Sequence, residues 1–81
     1  MKARVFVSLK KCVVDPQGKT IHHSLQNLGY ESVKDVRQGK VFEIDLNNGL
    51  SQDEARQEIE QMAQSVLTNP IIEQYSYEIE G

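Results

Sequence analysis

The sequence has a single cysteine, few aromatic residues and no long hydrophobic run. Because Cys12 is the only thiol, an intramolecular disulfide is excluded, and nothing resembles a zinc-binding pattern. No apolar stretch approaches the roughly 20 residues of a membrane-spanning helix. The chain opens directly into strand-like sequence, with no signal-peptide pattern. We therefore expect a soluble protein in a reducing, cytoplasmic setting, without a membrane partner.

An excess of basic charge is also missing. The chain carries 9 basic and 12 acidic residues, for a net charge of −3. Nucleic-acid binding usually requires a concentrated basic face. The five aromatic residues do not follow the pattern that an RNA-binding sheet uses to stack bases. We therefore expect no nucleic-acid partner.

The length of the chain, 81 residues, predicts one domain spanning residues 1–81. So short a domain buries only about 60% of the surface that its unfolded chain exposes. Its stability as a monomer should therefore be modest, which favours self-association or binding to partners.

The first half of the chain predicts a strand, a helix and a hairpin. Val5, Val7 and Leu9 alternate with Arg4, Phe6, Ser8 and Lys10, which is the period-two pattern of a half-buried strand. A turn containing Asp15 leads into a helix from Pro16 to Leu28, and Gly29 is expected to provide its left-handed C-terminal cap. The segment from Ser32 to Leu46 is predicted to be a hairpin with its turn at residues 38–40.

The second half predicts a helix and a final strand. Ser51 and Glu54 form a plausible capping box, and Asn69-Pro70 is expected to end the helix. The last strand runs from about Ile71 to Ile79. One helical stripe is formed by Ala55, Ile59, Met62, Ala63, Val66 and Leu67.

The element order β-α-β-β-α-β predicts an α+β fold of the ferredoxin-like, split-βαβ type. Its sheet is antiparallel, with two helices on one face. A two-residue hairpin turn would make Val36 and Val41 cross-strand neighbours on the other, open face, together with Phe6. We interpret these three residues as a self-association surface. The alternative is isolated surface hydrophobic residues, which are common.

Few residues offer catalytic chemistry. Cys12 lies beside two lysines, which would favour its thiolate, but no base is arranged for it. His22 and His23 are adjacent on a predicted helix, about 100° apart, so they cannot chelate a metal together. The acidic outer face of the second helix is typical of a solvated surface. Lys10, Arg37 and Lys40 could form a small anion-binding cluster, although solvated charge is the usual role of such residues.

Five segments form a set of motifs whose order and spacing are specific. They are Val7-Ser8-Leu9-Lys10, Val14-Asp15-Pro16-Gln17-Gly18, Leu28-Gly29-Tyr30, Val36-Arg37-Gln38-Gly39-Lys40 and Leu67-Thr68-Asn69-Pro70-Ile71-Ile72-Glu73. Through these motifs the sequence resembles the PurS family, the small subunit of phosphoribosylformylglycinamidine (FGAM) synthase. The resemblance covers essentially the whole chain, and Cys12 and the His22-His23 pair lie outside the motifs.

The resemblance implies a non-catalytic accessory role in purine biosynthesis. A larger amidoligase subunit would convert formylglycinamide ribonucleotide with ATP and magnesium, and a glutaminase subunit would supply ammonia. The small subunit would bridge or stabilise the two, assist ammonia transfer, and form a homodimer or homotetramer alone. It would bind no cofactor or metal itself.

The resemblance also suggests which residues contact partners. Gly18, Gly39 and Asn69 belong to the same motifs, but turn geometry explains them. Arg37 and Lys40 are expected at a hairpin tip, where they have no evident folding role. The predicted partner-contact residues are Lys10, Asp15, Gln17, Arg37, Lys40 and Glu73.

Two other functions fit the residues less well. A small-molecule sensor of the same topology would bind amino acids or nucleotides at a domain interface. A minor enzyme would depend on Cys12.

Overall fold

The computed structural model describes residues 1–80 of the chain. One antiparallel sheet has the strand order β2-β1-β3, with β1 in the centre. This arrangement confirms the antiparallel α+β class. The elements are β1 (Lys2–Leu9), α1 (Pro16–Asn27), β2 (Gly39–Asp45), α2 (Gln52–Met62), a π-helical turn (Ala63–Leu67) and β3 (Glu73–Glu80).

The core lies between one face of the sheet and α2. Alternate residues of β1 are buried, as its period-two pattern predicts, and they pack against Ile59 and Ala63. The flanking strands add half-buried residues, so α2 covers the centre of the face more completely than its margins. The buried β1 residues are Ala3, Val5 and Val7, and the flanking ones are Phe42, Ile44, Tyr75, Tyr77 and Ile79.

Helix α2 begins at the predicted capping residues. The Glu54 backbone N–H donates to Ser51 Oγ at 3.2 Å, and Ser51 Oγ donates to Glu54 Oε1 at 3.3 Å. The predicted apolar stripe packs on the core as far as Leu67, with the exception of Val66, which is 79% exposed. Val66 faces outwards because the π-helical turn departs from the 3.6-residue period of an α-helix.

The predicted first arm of the hairpin is not a strand. Residues 33–38 have no regular secondary structure and do not pair with the sheet, and they run beside α1. His22 Nε2–H donates to the Val33 carbonyl at 2.9 Å, and the Gln38 N–H donates to Asp15 Oδ2 at 2.8 Å. Because these backbone groups find partners at α1, they do not need a neighbouring strand.

Helix α1 lies outside the described core. None of the described core residues belongs to it, so α2 and the π-helical turn supply the helical side of the core. Of the two predicted helices, only α2 therefore covers the sheet face. Ile21 of α1 is 41% exposed, and Leu28, directly after the helix, is 74% exposed. Gly29 follows with φ of 98°, which confirms the predicted left-handed cap.

Three chain segments meet at one end of the sheet. Ser8, near the end of β1, pairs with Gly39, the first residue of β2, and Leu9 pairs with Glu73, the first residue of β3. Residues 10–38 therefore leave the sheet and return to it at the same end. We call this the loop end.

Candidate partner-binding surface

A cleft of about 240 Å³ lies at the loop end of the sheet. We call it the loop-end cleft. Four of the six residues predicted for partner contact line it, together with Gln38 and Gly39 at the entry to β2. Its polar side chains are Ser8, Asp15, Gln17, Gln38, Lys40 and Glu73. Residues far apart in the sequence are thus brought to one surface.

Asp15 is the best-connected residue of the loop-end cleft. Its Oδ1 accepts the Gly18 N–H at 3.0 Å and caps α1, while its Oδ2 accepts the Gln38 N–H at 2.8 Å. The side chain is only 5% exposed. The hydrogen bond from Gly18, followed by that from Gln38, holds the pKa of Asp15 below its ordinary value of 3.8. One carboxylate therefore fastens the start of α1 to the entry of β2.

Gly18 is required by a close backbone approach. A Cβ atom at this position would lie 2.2 Å from the Val36 carbonyl oxygen. The sequence pattern indicated a turn glycine, but the residue is buried where α1 meets residues 33–38. The glycine lets these two segments pack together, directly beside the cleft residues Gln17 and Gln38.

Arg37 has a folding role that the sequence did not indicate. Its Nη1 donates to the Val13 carbonyl at 2.8 Å and its Nη2 to the Lys11 carbonyl at 2.7 Å. Its Nε lies 3.7 Å from Asp35 Oδ2. The guanidinium group thus ties the loop after β1 to residues 33–38, and the expectation that it has no folding role is wrong.

Lys40 and Glu73 form an ion pair across the mouth of the cleft. Lys40 Nζ lies 3.6 Å from Glu73 Oε2, and Glu73 Oε1 accepts the Asn69 N–H at 2.7 Å. The Glu73 side chain is 17% exposed and that of Lys40 is 54% exposed. Lys40 also lies over Phe42, 5.6 Å from the ring centroid. The carboxylate is therefore the more buried partner, and the ammonium group lies nearer the solvent.

Lys10 lies beside the loop-end cleft and lines a second cavity. Its backbone N–H donates to the Ile72 carbonyl at 2.9 Å, which holds the turn before β3 against the end of β1. The second cavity, of about 610 Å³, is also lined by Gln64, Tyr75 and Glu73. Glu73 is therefore shared by two adjoining depressions, and the polar surface extends towards the π-helical turn.

The open face of the sheet carries two of the three residues predicted for self-association. Phe6 pairs directly with Val41, which is 53% exposed. Val36 lies outside the sheet, with its carbonyl oxygen close to Gly18, so the predicted pairing of Val36 with Val41 is wrong. The error came from assigning a two-residue turn to a segment that is held by α1.

The far half of the open face is charged. The Nε atom of Arg4 lies 3.5 Å from Glu43 Oε1, and its Nη1 atom lies 3.4 Å from Glu80 Oε1. These two ion pairs link β1 to β2 and to β3. The apolar pair of Phe6 and Val41 is therefore confined to the half nearer the loop end.

The other candidate residues do not converge. Cys12 is an exposed thiol in the loop after β1. His22 is half-buried and bonded to Val33, whereas His23 is exposed. Within residues 1–80, no three His, Cys, Asp or Glu side chains are grouped to hold a metal ion. No helix in the same range is both long and apolar enough to cross a bilayer.

These features define a small antiparallel α+β protein with a cleft of polar residues at one end of its sheet. Residues 2–81 match the family model described as "PurS: Phosphoribosylformylglycinamidine (FGAM) synthase". The chain belongs to the PurS family.

Individual relatives support this assignment over almost the full length. The chain is 39% identical to phosphoribosylformylglycinamidine synthase subunit PurS of Bacillus subtilis, covering 98% of this chain and 92% of the relative. The corresponding subunit of Methanocaldococcus jannaschii is 37% identical, with 98% and 94% covered.

Solved structures of the family share the fold. A crystal structure of B. subtilis PurS matches with a TM-score of 0.85 at 39% identity, covering 99% of this chain and 98% of that chain. A chain in the structure of PurLQS from Thermotoga maritima matches with a TM-score of 0.79 at 26% identity, with 95% and 93% covered.

Proposed function

We propose that this chain is a non-catalytic accessory subunit of FGAM synthase in purine biosynthesis. It bridges or stabilises the contact between the ATP-dependent amidoligase subunit and the glutaminase subunit, and assists the transfer of ammonia between them. ATP and magnesium are bound by the larger subunit, and the assembly works in the cytoplasm. The observation that carries this proposal is the whole-chain similarity to PurS proteins, including a chain in the PurLQS structure.

The loop-end cleft is the surface we propose for contact with the larger subunits. Asp15 and Arg37 hold its walls through hydrogen bonds to the backbone, so the surface is formed before a partner arrives. A preformed surface loses little conformational entropy on binding. Gln17 and the ammonium group of Lys40 are exposed at the cleft and are available to a partner.

Reconstitution of the synthase tests the accessory role. The two larger subunits are assayed for glutamine-dependent FGAM formation with and without this chain. We expect activity to require the chain, and the chain alone to have none. Undiminished activity without it would contradict the proposal. A Cys12→Ala variant that restores full activity would also exclude catalysis by the thiol.

The shape of the monomer supports self-association. Its radius of gyration is 16.2 Å, against about 12 Å for a compact domain of this length. Its accessible surface is 5974 Å², against about 4,900 Å² for a compact protein of 9.2 kDa. The excess accessible surface, about 1,100 Å², is of the same order as the roughly 800 Å² that each partner buries in a standard interface. We therefore propose that the isolated chain forms a homodimer or homotetramer.

Substitution of Val41 tests which face self-associates. Val41→Glu places a charge beside Phe6 on the open face, and we expect it to weaken the oligomer by about ten-fold or more, since a buried unpaired charge is costly. Val66→Glu is the matched control, because Val66 is exposed on the π-helical turn. Sedimentation analysis measures both. If only Val66→Glu dissociates the oligomer, the open face is not the interface.

A further inference from the structure

The loop between β2 and α2 carries an Asn-Gly pair that the proposed function does not use. Asn48 and Gly49 form an exposed turn. A glycine in a turn usually supplies a positive φ or allows a close backbone approach. Gly49 does neither, because its φ lies outside the left-handed region and a Cβ atom at this position would meet nothing within 4 Å. The fold therefore does not require glycine here.

The missing side chain of Gly49 instead affects the chemistry of Asn48. The backbone nitrogen that follows an asparagine can attack Cγ of the asparagine side chain and close a five-membered succinimide ring. Because the nitrogen and the carbonyl carbon belong to adjacent residues, the reaction is intramolecular and gains from their proximity. A Cβ atom on the following residue hinders the approach and restricts the backbone, so glycine permits it best.

The nitrogen that follows Asn48 is free to react. Both Asn48 and Gly49 are exposed, and within residues 1–80 the Gly49 N–H donates no hydrogen bond. Asn27, at the end of α1, differs in this respect. The N–H that follows it belongs to Leu28 and donates to the Ser24 carbonyl at 3.1 Å. The backbone nitrogen is therefore engaged at Asn27 and available at Asn48.

The other two asparagines are less suited to the reaction for chemical reasons. Asn69 precedes Pro70, whose ring nitrogen carries no hydrogen. Asn47 is exposed like Asn48, but the nitrogen that follows it belongs to a residue with a side chain. Asn47 and Asn48 thus provide an internal comparison, because they are neighbours in one exposed loop and differ in the residue that follows.

We propose that Asn48 is a site of spontaneous deamidation by the Gly49 backbone nitrogen. This nitrogen loses its proton to solvent and bonds to Asn48 Cγ, and the side-chain amide nitrogen takes up a proton and leaves as ammonia. Water then opens the succinimide at either of its two carbonyl carbons. One opening gives aspartate. The other gives isoaspartate, in which the main chain runs through the side-chain carbon.

The modification adds a negative charge at the end of the sheet opposite the loop end. There the Leu46 N–H donates to the Met1 carbonyl at 2.8 Å, and the amino group of Met1 donates to Asn48 Oδ1 at 3.2 Å. The aspartate product places its new carboxylate beside this amino group, where opposite charges attract. The isoaspartate product lengthens the main chain between β2 and α2. This modification is independent of the proposed function.

Incubation of the full chain at 37 °C and pH 8 tests the site. Samples taken over several weeks are digested with trypsin, and mass spectrometry follows the conversion of amide to acid in the peptide of residues 41–56, which contains both Asn47 and Asn48. Fragmentation of the peptide assigns the change to one of the two asparagines. A sample digested without incubation corrects for conversion during digestion.

Gly49→Ala is the matched variant, because the structure has room for the new methyl group. Thermal melts of the fresh proteins establish that the variant keeps the fold. We expect Asn48 to be converted about ten-fold faster than Asn47, and Gly49→Ala to slow the conversion of Asn48 by about ten-fold. Aspartate and isoaspartate peptides, which chromatography separates, should appear together.

Three results would overturn the inference. The first is an equal rate of conversion at Asn47 and Asn48, or none at either. The second is an unchanged rate at Asn48 in the Gly49→Ala variant. The third is formation of aspartate without isoaspartate, because direct hydrolysis of the side-chain amide by water gives only aspartate.

Discussion

At the scale of single residues, Asp15 fastens the start of α1 to the residue that precedes β2 at the loop-end cleft. Its two carboxylate oxygens accept N–H groups from Gly18 and Gln38, which lie 3 and 23 residues away. These bonds favour the charged form and lower the pKa of Asp15, with a further contribution from the nearby Arg37 guanidinium. Folding and ionisation are therefore linked at this residue.

Asp15→Asn should reduce both the stability and its dependence on acidic pH. A carboxylate whose pKa is lowered by folding stabilises the protein above its ordinary pKa of 3.8. That stabilisation is lost as the pH falls through the folded-state pKa. We expect the melting temperature at pH 7 to fall by on the order of 5 °C, with a smaller further fall below pH 4 than in the original chain.

The control for this change is Asp35→Asn, which removes a carboxylate that is exposed in the same part of the chain. Thermal melts between pH 2 and 7 compare the three proteins. If both variants show the same change in pH dependence, the buried carboxylate of Asp15 has no special part in stability.

Gly18→Ala should be destabilising because of the contact with Val36. The new Cβ would lie 2.2 Å from the Val36 carbonyl oxygen, so either α1 or the segment of residues 33–38 must move. We expect a loss of about 1–3 kcal/mol in the free energy of unfolding. The control is Gly49→Ala, where a Cβ atom meets nothing within 4 Å. Urea unfolding that gave equal stabilities for the two variants would contradict the close approach.

At the scale of elements, the π-helical turn sets the path from α2 to β3. Thr68 Oγ1 donates to the Ala63 carbonyl at 2.6 Å, and the Thr68 N–H donates to the same oxygen at 3.0 Å. Thr68 is 9% exposed. These two hydrogen bonds end the helical segment before Asn69. The Asn69 N–H then donates to Glu73 Oε1. The turn therefore helps to place Glu73 at the mouth of the cleft.

Thr68→Val should destabilise the protein by about 1–2 kcal/mol, because it removes a buried hydrogen bond at nearly constant volume. Thr20→Val is the matched control, since Thr20 Oγ1 donates to the Pro16 carbonyl on an exposed helix surface. Its effect should stay within about 0.5 kcal/mol. Urea unfolding measures both, and an equal loss in the two variants would show that the hydroxyl of Thr68 has no particular role.

Local patterns predicted most of the elements. The alternation along β1 and β3, the cap at Ser51 and the left-handed Gly29 all follow from short-range chemistry, and all appear in the structure. The two failures have different causes, one long-range and one local. Residues 33–38 are held by Asp15 and His22 from another element. Val66 is turned outwards by a π-helical turn that helical periodicity does not predict.

The candidate site was only partly predictable, because its residues are held by contacts between distant parts of the sequence. Asp15, Gln17, Lys40 and Glu73 were selected from motif resemblance, and the structure brings them together around one cleft. The second contact of Asp15 lies 23 residues away. No local pattern could have indicated it. The folding role of Arg37 depends likewise on carbonyl groups in a distant loop.

At the scale of the whole molecule, the chain combines a small core with a large accessible surface. The core is formed by β1, α2 and Ala63, while Ile21 of α1 and Leu28 after it remain exposed. The loop-end cleft is lined by polar residues, and the open face carries the apolar pair of Phe6 and Val41. The contact that we propose with the larger subunits and the one that we propose with a second copy therefore use different surfaces.

The most direct test of the account is assembly of the synthase with the loop-end cleft obstructed. Gln17→Tyr places a bulky neutral side chain at the cleft, while Gln57→Tyr makes the same change on the exposed side of α2. Complex formation with the two larger subunits is measured by sedimentation. We predict at least a ten-fold weaker complex for Gln17→Tyr and an unchanged one for Gln57→Tyr. Equal assembly of both variants would contradict the account.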